Sequence, residues 1–256
     1  MDPEWPSDVR CAERYAATRL SHFVSVMSGW TDAVVDVEVG PGATIAPGTA
    51  DAQISRSRLL AEIEAFDASL VIGPMDRARQ HWTPSGLAAW SRQAARSGEA
   101  PSEANFIAPQ ADRLAAVKPF GFGFYTSTSS VTGISMWRAF LGLEDSHTSP
   151  LPSYTWELKI DQDVTVAEIK SATEWVEFVC AHPYVVDDLV FPNWEDIAQG
   201  FDAVHLTLPA IAAAQGFCFC TRFGTIPAAF WDVETTFWLR WRFPSARLVE
   251  TVHTRS

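Results

Sequence analysis

Lys118-Pro-Phe-Gly-Phe-Gly-Phe-Tyr-Thr-Ser-Thr-Ser-Ser130 is the stretch on which the reading of this chain turns. In an extended chain alternate side chains share a face, so Phe120, Phe122 and Phe124 fall on one side and Gly121 and Gly123 on the other. The spacing predicts a strand over Phe120–Ser127. Glycine weakens a strand interior and marks a close approach by backbone or ligand, which singles out Gly123 beside the rings. The strand runs into a cluster of hydroxyls. Thr132 reads as the N-cap of a short helix over Gly133–Leu141, which accounts for one hydroxyl only. The others can bond a sugar or an amide, and exposed rings can stack on a flat heterocycle. The alternative is a core strand followed by a capped helix.

Outward from this stretch, the chain divides by pattern. Upstream, apolar residues at helical spacing predict helices over 8–29, Ile54–Phe66 and Pro84–Arg96. Val34–Val39 alternates as a short strand, and Ser69–Ile72 reads as a brief strand or a helix end. Residues 97–104 (Ser-Gly-Glu-Ala-Pro-Ser-Glu-Ala) are small and polar, and read as a linker. Downstream, strands are expected at Ser153–Ile160, Val166–Ile169, Ala203–Thr207, Val233–Phe243 (the longest) and Arg247–Val252. Helices are expected at Ala172–His182 and Trp194–Gly200. Strands and helices mix without regular βαβ alternation, which predicts an α+β fold. A mostly helical region, 1–104, precedes an α+β domain, 105–256.

The 256 residues suffice for a sizeable core, with 47% hydrophobic and 20% charged residues. A net charge of −12 repels a phosphate backbone and disfavours nucleic acid as a partner. Arg240, Arg242 and Arg247 leave a local basic cleft open as an alternative. Four cysteines are too few for a disulfide framework. Cys218 and Cys220 would share a strand face, with His205 the nearest further ligand, but buried thiols explain them better than a metal. The acidic N-terminus is followed by no apolar stretch, and no run reaches eighteen apolar residues, so neither a signal peptide nor a membrane span is expected. The expected compartment is the cytoplasm.

Two further stretches carry chemistry. Trp231-Asp-Val-Glu-Thr-Thr-Phe-Trp-Leu-Arg-Trp241 embeds Glu234 in an aromatic strand, with Asp232 on the same face. A carboxylate among such rings is costly unless paired, hydrogen-bonded or functional. A solvent-facing edge position, or pairing with an Arg such as Arg240, is the other explanation. Asp202-Ala-Val-His205-Leu-Thr207 puts a histidine in an apolar strand with no partner visible locally. His22, His81, His147 and His182 show no partner pattern either. No Walker loop, GxGxxG, HExxH or GxSxG occurs.

A strand ending in Tyr-Thr-Ser-Thr-Ser, a small helix bearing Trp137 and a late strand with Asp-x-Glu together resemble the ADP-ribosyltransferase fold. The resemblance covers about 105–250. The segment from Lys118 to Glu234 is also similar to actinobacterial proteins of no assigned function, through Pro192-Asn-Trp194, Asp202-Ala-Val-His205 and Trp231-Asp-Val-Glu234-Thr235. The first resemblance implies two small antiparallel sheets forming a cleft for NAD. It implies Ser127, Thr128 and Ser129 as the Ser-Thr-Ser element, Tyr125 stacked near the nicotinamide, Glu234 as catalytic glutamate and Asp232 as partner acid. The family's first strand presents an Arg or His, and the strand best aligned with it here begins at Asn105.

The implied activity is ADP-ribosyl transfer or NAD hydrolysis, with a protein or small-molecule acceptor. A carboxylate beside the ribose stabilises an oxocarbenium-like state. The competing expectations are a non-catalytic binding module on the same fold, and an enzyme using a carboxylate and His205 on a non-nucleotide substrate.

Overall fold

In the computed structural model, the described residues are 33–36, 57–84, 94, 97–110, 115–143, 151–231 and 233–253, apart from 59, 62, 66 and 72. The expected helix over 8–29 and most of that over Pro84–Arg96 lie outside them, as do His22, His147 and Asp232. In the expected Ile54–Phe66 helix, Ser57, Arg58, Leu60, Ala61, Ile63, Glu64 and Ala65 are helical. Residues Ala68–Leu70 form a 3-10 turn rather than a strand.

Among the described residues, twelve strands make two mixed sheets. In chain order they are β1 (Ala33–Asp36), β2 (Gln80–Trp82), β3 (Phe124–Thr128), β4 (Ser153–Lys159), β5 (Val166–Ile169), β6 (Pro183–Val186), β7 (Leu189–Pro192), β8 (Ala203–Leu206), β9 (Phe217–Thr221), β10 (Gly224–Ile226), β11 (Thr235–Trp238) and β12 (Ser245–Val252). Between the strands, among the described residues, lie the α-helices α1 (Met136–Leu143), α2 (Ala172–Ala181), α3 (Trp194–Gly200) and α4 (Leu208–Ala214). The larger sheet has seven strands in the order β12-β4-β2-β3-β11-β8-β5, and the smaller has five in the order β1-β9-β10-β7-β6. The α+β class holds. The sheets are larger than expected and not purely antiparallel: β5 runs parallel to β8, β1 to β9 and β10 to β7. Strands β1 and β2, from before the 97–104 stretch, pair with strands from after it.

The inner strands of the seven-stranded sheet bury residues on both faces, whereas the edge strand β12 is largely exposed. One face carries Tyr125, Val204, Phe237, Ala167 and Ile169 into a large core shared with Phe217, Phe219, Ile226 and Val190 of the smaller sheet. The other carries Trp82, Phe124, Leu158, Ala203 and Trp238 into a second core closed by Phe243. Alternation along β3 and β11 distributes the rings between these two cores. The helices start where their caps dictate. Ser171, Asn193 and Thr207 each accept a backbone N–H of the first turn of α2, α3 and α4.

Two strands are shorter than the pattern predicts, for identifiable reasons. β3 begins at Phe124 because Gly123 sits at φ +70, a backbone conformation other residues rarely adopt. A side chain there would run into the Phe237 ring. Phe120–Gly123 therefore forms bends and no strand. β11 ends at Trp238 because the N–H groups of Leu239 and Arg240 turn to the Asp202 carbonyl. The longest strand is β12, with a register shift between Leu248 and Glu250.

Candidate functional site

Strands β3, β11, β8 and β5 lie side by side, in registers that set Thr236 opposite both Thr126 and His205, and His205 opposite Glu168. Glu234 immediately precedes β11, so it meets the C-terminal end of β3. Its carboxylate is only 1% exposed, and four donors reach it. The Ser127 hydroxyl and the Thr128 N–H donate to Oε2 at 3.0 and 2.7 Å. The Thr128 hydroxyl donates to Oε1 at 2.8 Å, and His205 Nε2 lies 2.9 Å from the same oxygen. Two donors per oxygen occupy the lone pairs of the carboxylate, which is how a charge this deep avoids a prohibitive desolvation cost.

His205 continues the chain. Its Nδ1 is 2.6 Å from Glu168 Oε2, and Glu168 Oε1 accepts the Met75 N–H at 2.9 Å. Burial by itself favours the neutral ring. The hydrogen bonds and charges of Glu168 and Glu234 outweigh it and push the His205 pKa up to about 9. His205 is therefore an imidazolium donating from both nitrogens at neutral pH. Burial is the largest single influence on the Glu168 carboxyl and pushes its pKa up, but the hydrogen bond and charge of His205, the Met75 N–H and Lys170 together outweigh it and lower the carboxyl below its usual range.

On the other side of Glu234 the hydrogens also have a fixed sense. Trp238 Nε1 donates to the Thr126 hydroxyl at 2.8 Å, which donates to Gln80 Oε1 at 2.5 Å. Gln80 Nε2 donates to the Thr128 hydroxyl at 2.9 Å, and that hydroxyl donates to Glu234. Each hydroxyl has one hydrogen, so accepting from one neighbour orients it toward the next. The series runs from an indole N–H to the carboxylate without reversal.

The expected residues separate into those that meet and those that do not. Ser127, Thr128 and Glu234 converge. Trp137 stands next to them: its N–H lies 3.3 Å from the Ser127 hydroxyl, and its indole donates to the Thr83 carbonyl at 3.0 Å. Ser129 is buried but turns its N–H to the Arg79 carbonyl. Tyr125 lies on the opposite sheet face from Thr126 and Thr128, stacked on Phe237 with centroids 4.6 Å apart, its hydroxyl donating to the Pro119 carbonyl. Burial pushes its pKa well up. Tyr125 is thus a core ring with a satisfied hydroxyl. Gly123 is the turn before β3, its N–H donating to the Ile107 carbonyl at 2.7 Å. Asn105 is not on a strand: it ends an exposed 3-10 turn, Glu103–Asn105.

On the side away from β11, β3 is flanked by β2, a strand that the sequence pattern does not predict. Its His81 lies opposite Ser127 in the register. His81 is 5% exposed, and its Nδ1 has no hydrogen-bond partner within the chain. Burial depresses its pKa against the pull of Glu157 and Glu250, so the ring is neutral at pH 7. Three residues, two of them polar, give no alternation to read. Glu168 was legible on the same ground as Glu234, as an acid inside a short apolar strand, Val-Ala-Glu-Ile.

The arginines are engaged elsewhere. Arg240 and Arg242 pair with the buried Asp202, and Arg247 with Glu157. Arg240 is therefore not the partner of Glu234. Cys218 and Cys220 sit on β9 of the smaller sheet, away from the strand of His205. Among the described residues no cluster of His, Cys, Asp or Glu is arranged to hold a metal ion, and no helix is long and apolar enough to cross a membrane. No family model, curated protein or solved structure matches the chain.

Proposed function

We propose that the protein cleaves NAD at the nicotinamide–ribose bond and transfers the ADP-ribosyl group to water or to a protein or small-molecule acceptor. The observation that carries this reading is the convergence at the end of β3: Ser127 donates to Glu234, and His81 stands opposite Ser127 on the neighbouring strand. The resemblance implies an Arg or His on the family's first strand; Asn105 is not on a strand, and in this reading His81 of β2, the neighbour of β3, takes that role.

Glu234 would stabilise the oxocarbenium-like ribosyl state electrostatically. With both oxygens already accepting two hydrogens, it is suited to hold a fixed negative charge beside a developing cation rather than to attack it. His81, neutral and with a free nitrogen, would bond a ribose hydroxyl. Trp137 would supply a flat wall, and an open cleft beside these residues is part of the proposal. The free thiols of Cys180 and Cys218 accord with a reducing, cytoplasmic setting.

The His205 pairing also supports a second reading, in which the same carboxylate and histidine serve a non-nucleotide substrate. Nicotinamide release from NAD by wild type, Glu234→Gln and His81→Ala separates the two. Release by wild type that both substitutions abolish is expected. Release that stays at background for all three would refute the NAD reading.

A further inference from the structure

We propose that Glu168 and His205 are positioning residues for Glu234, forming an acid–imidazolium–acid relay that fixes the orientation of the carboxylate charge and makes the reaction sensitive to alkaline pH. This rests on the reading that Glu234 faces a ribosyl cation. The argument itself starts from geometry. His205 bridges two carboxylates, at 2.6 Å from Glu168 and 2.9 Å from Glu234, and is itself 3% exposed. An ordinary buried histidine needs one donor and one acceptor. Two acceptors, one at each nitrogen, require that both nitrogens carry hydrogens.

The ring holds Glu234 Oε1 against one side, while Ser127 and the Thr128 backbone hold Oε2 against the other. The carboxylate plane is thereby set by two neighbouring strands, β3 and β8, rather than by its own rotamer. Loss of one proton from His205 changes this. The shorter contact, to Glu168, keeps Nδ1–H, and the lone pair left on Nε2 then faces Oε1. Two electron-rich atoms cannot remain at hydrogen-bond distance, so the carboxylate must turn.

Glu168 is the most solvent-exposed member of the relay. Its side chain is 22% exposed, whereas those of His205 and Glu234 are 4% and 1% exposed. The charged groups facing His205 are Glu168 from β5 and Glu234 from the segment before β11. Lys170, on the chain just after β5, acts on Glu168. The Thr128 hydroxyl and Met75 N–H complete the surroundings of the two carboxylates and do not titrate. The pKa of His205, pushed up to about 9, sets where the relay fails.

The test combines two measurements on the full chain: the pH dependence of nicotinamide release, and NMR titration of the His205 imidazole carbon. In wild type, the alkaline limb of kcat should coincide with the His205 titration near pH 9. In Glu168→Gln both should move down together, by about one unit, one of two nearby opposite charges having gone. KM for NAD should stay within twofold, and Glu168→Asp should return both midpoints toward wild type. A limb that stays put while the imidazole shifts would overturn the relay, as would an imidazole titration indifferent to Glu168. Should Glu168→Gln fail to fold, a wild-type limb that departs from the His205 titration overturns it equally. Wild-type release at background would overturn the proposal together with the NAD reading. A Glu168-dependent His205 titration in that case would assign the failure to the reaction and not to the pairing.

Discussion

Glu234→Gln should destabilise the protein at pH 7 and do so far less at pH 10. An amide has one acceptor oxygen and one donor nitrogen, and the site decides which goes where. The nitrogen cannot face the Thr128 N–H, which has no alternative direction. It must take the place of Oε1, against the Thr128 hydroxyl and His205 Nε2. His205 can accept from it only as a neutral ring. The substitution therefore costs the energy that holds the imidazolium. A pKa displaced from 6.5 to about 9 corresponds to about 3 kcal/mol, which Glu234 and Glu168 share. Weaker neutral hydrogen bonds in place of charge-assisted ones add about 1 kcal/mol.

The sign follows from linkage. A raised folded-state pKa contributes stability that is complete below 6.5, the unfolded value, and is lost as pH rises through about 9. The wild type thus approaches the variant at alkaline pH. Urea denaturation at pH 7 and pH 10 reads the difference directly. A penalty of ~2–3 kcal/mol at pH 7 that falls to about 1 kcal/mol at pH 10 is expected. A penalty that is the same at both pH values would refute the imidazolium.

Three other perturbations test separate parts of the fold. His81→Phe should leave stability at pH 7 within about 1 kcal/mol of wild type, because the ring's buried Nδ1 has no bond to lose, while nicotinamide release collapses. Its burial also depresses the His81 pKa, so wild type should lose stability relative to this variant as pH falls below 6.5, as urea titration at pH 5 would measure. Gly123→Ala meets both the positive φ and the Phe237 ring, and thermal unfolding should report a loss of at least ~2 kcal/mol. Gln80→Leu takes one of two hydrogen bonds from each of the buried Thr126 and Thr128 hydroxyls, and should cost about 2–3 kcal/mol by chemical denaturation.

Much of the fold was legible from local pattern, and its limits have physical causes. Alternating stretches such as Ser153–Lys159 and Val166–Ile169, and the capped helix from Ala172, fall where their sequences indicate. The helix over Leu208–Ala214 escaped notice although Thr207 and Pro209 mark its start. The extended aromatic run beginning at Val233 yields only four strand residues. What shortens it is the carbonyl of Asp202, a long-range acceptor that no local reading supplies. At the site, Glu234 was identified as an acid in apolar surroundings. His205 also stands out in the sequence, as a histidine in an apolar strand, but its pairing with Glu234 does not, because adjacency of β8 and β11 is a property of the sheet. Tyr125 shows the converse. The same motif that names it as a stacking ring also allows it to point into the core, and only the alternation along β3 decides.

The polar series through Gln80, Thr128, Glu234, His205 and Glu168 has a consequence for how the chain assembles. Its bonds join residues 48, 106, 29 and 37 positions apart. None can form within a single hairpin or helix turn, and each requires a loop to close before any bond repays the lost chain entropy. Half of the series also leaves buried carboxylates without donors, so partial formation is worse than none. These contacts should therefore be consolidated after the rate-limiting barrier, with the surrounding aromatic cores organised first. Stopped-flow chevrons should accordingly find that Gln80→Leu accelerates unfolding and leaves the folding limb almost unchanged.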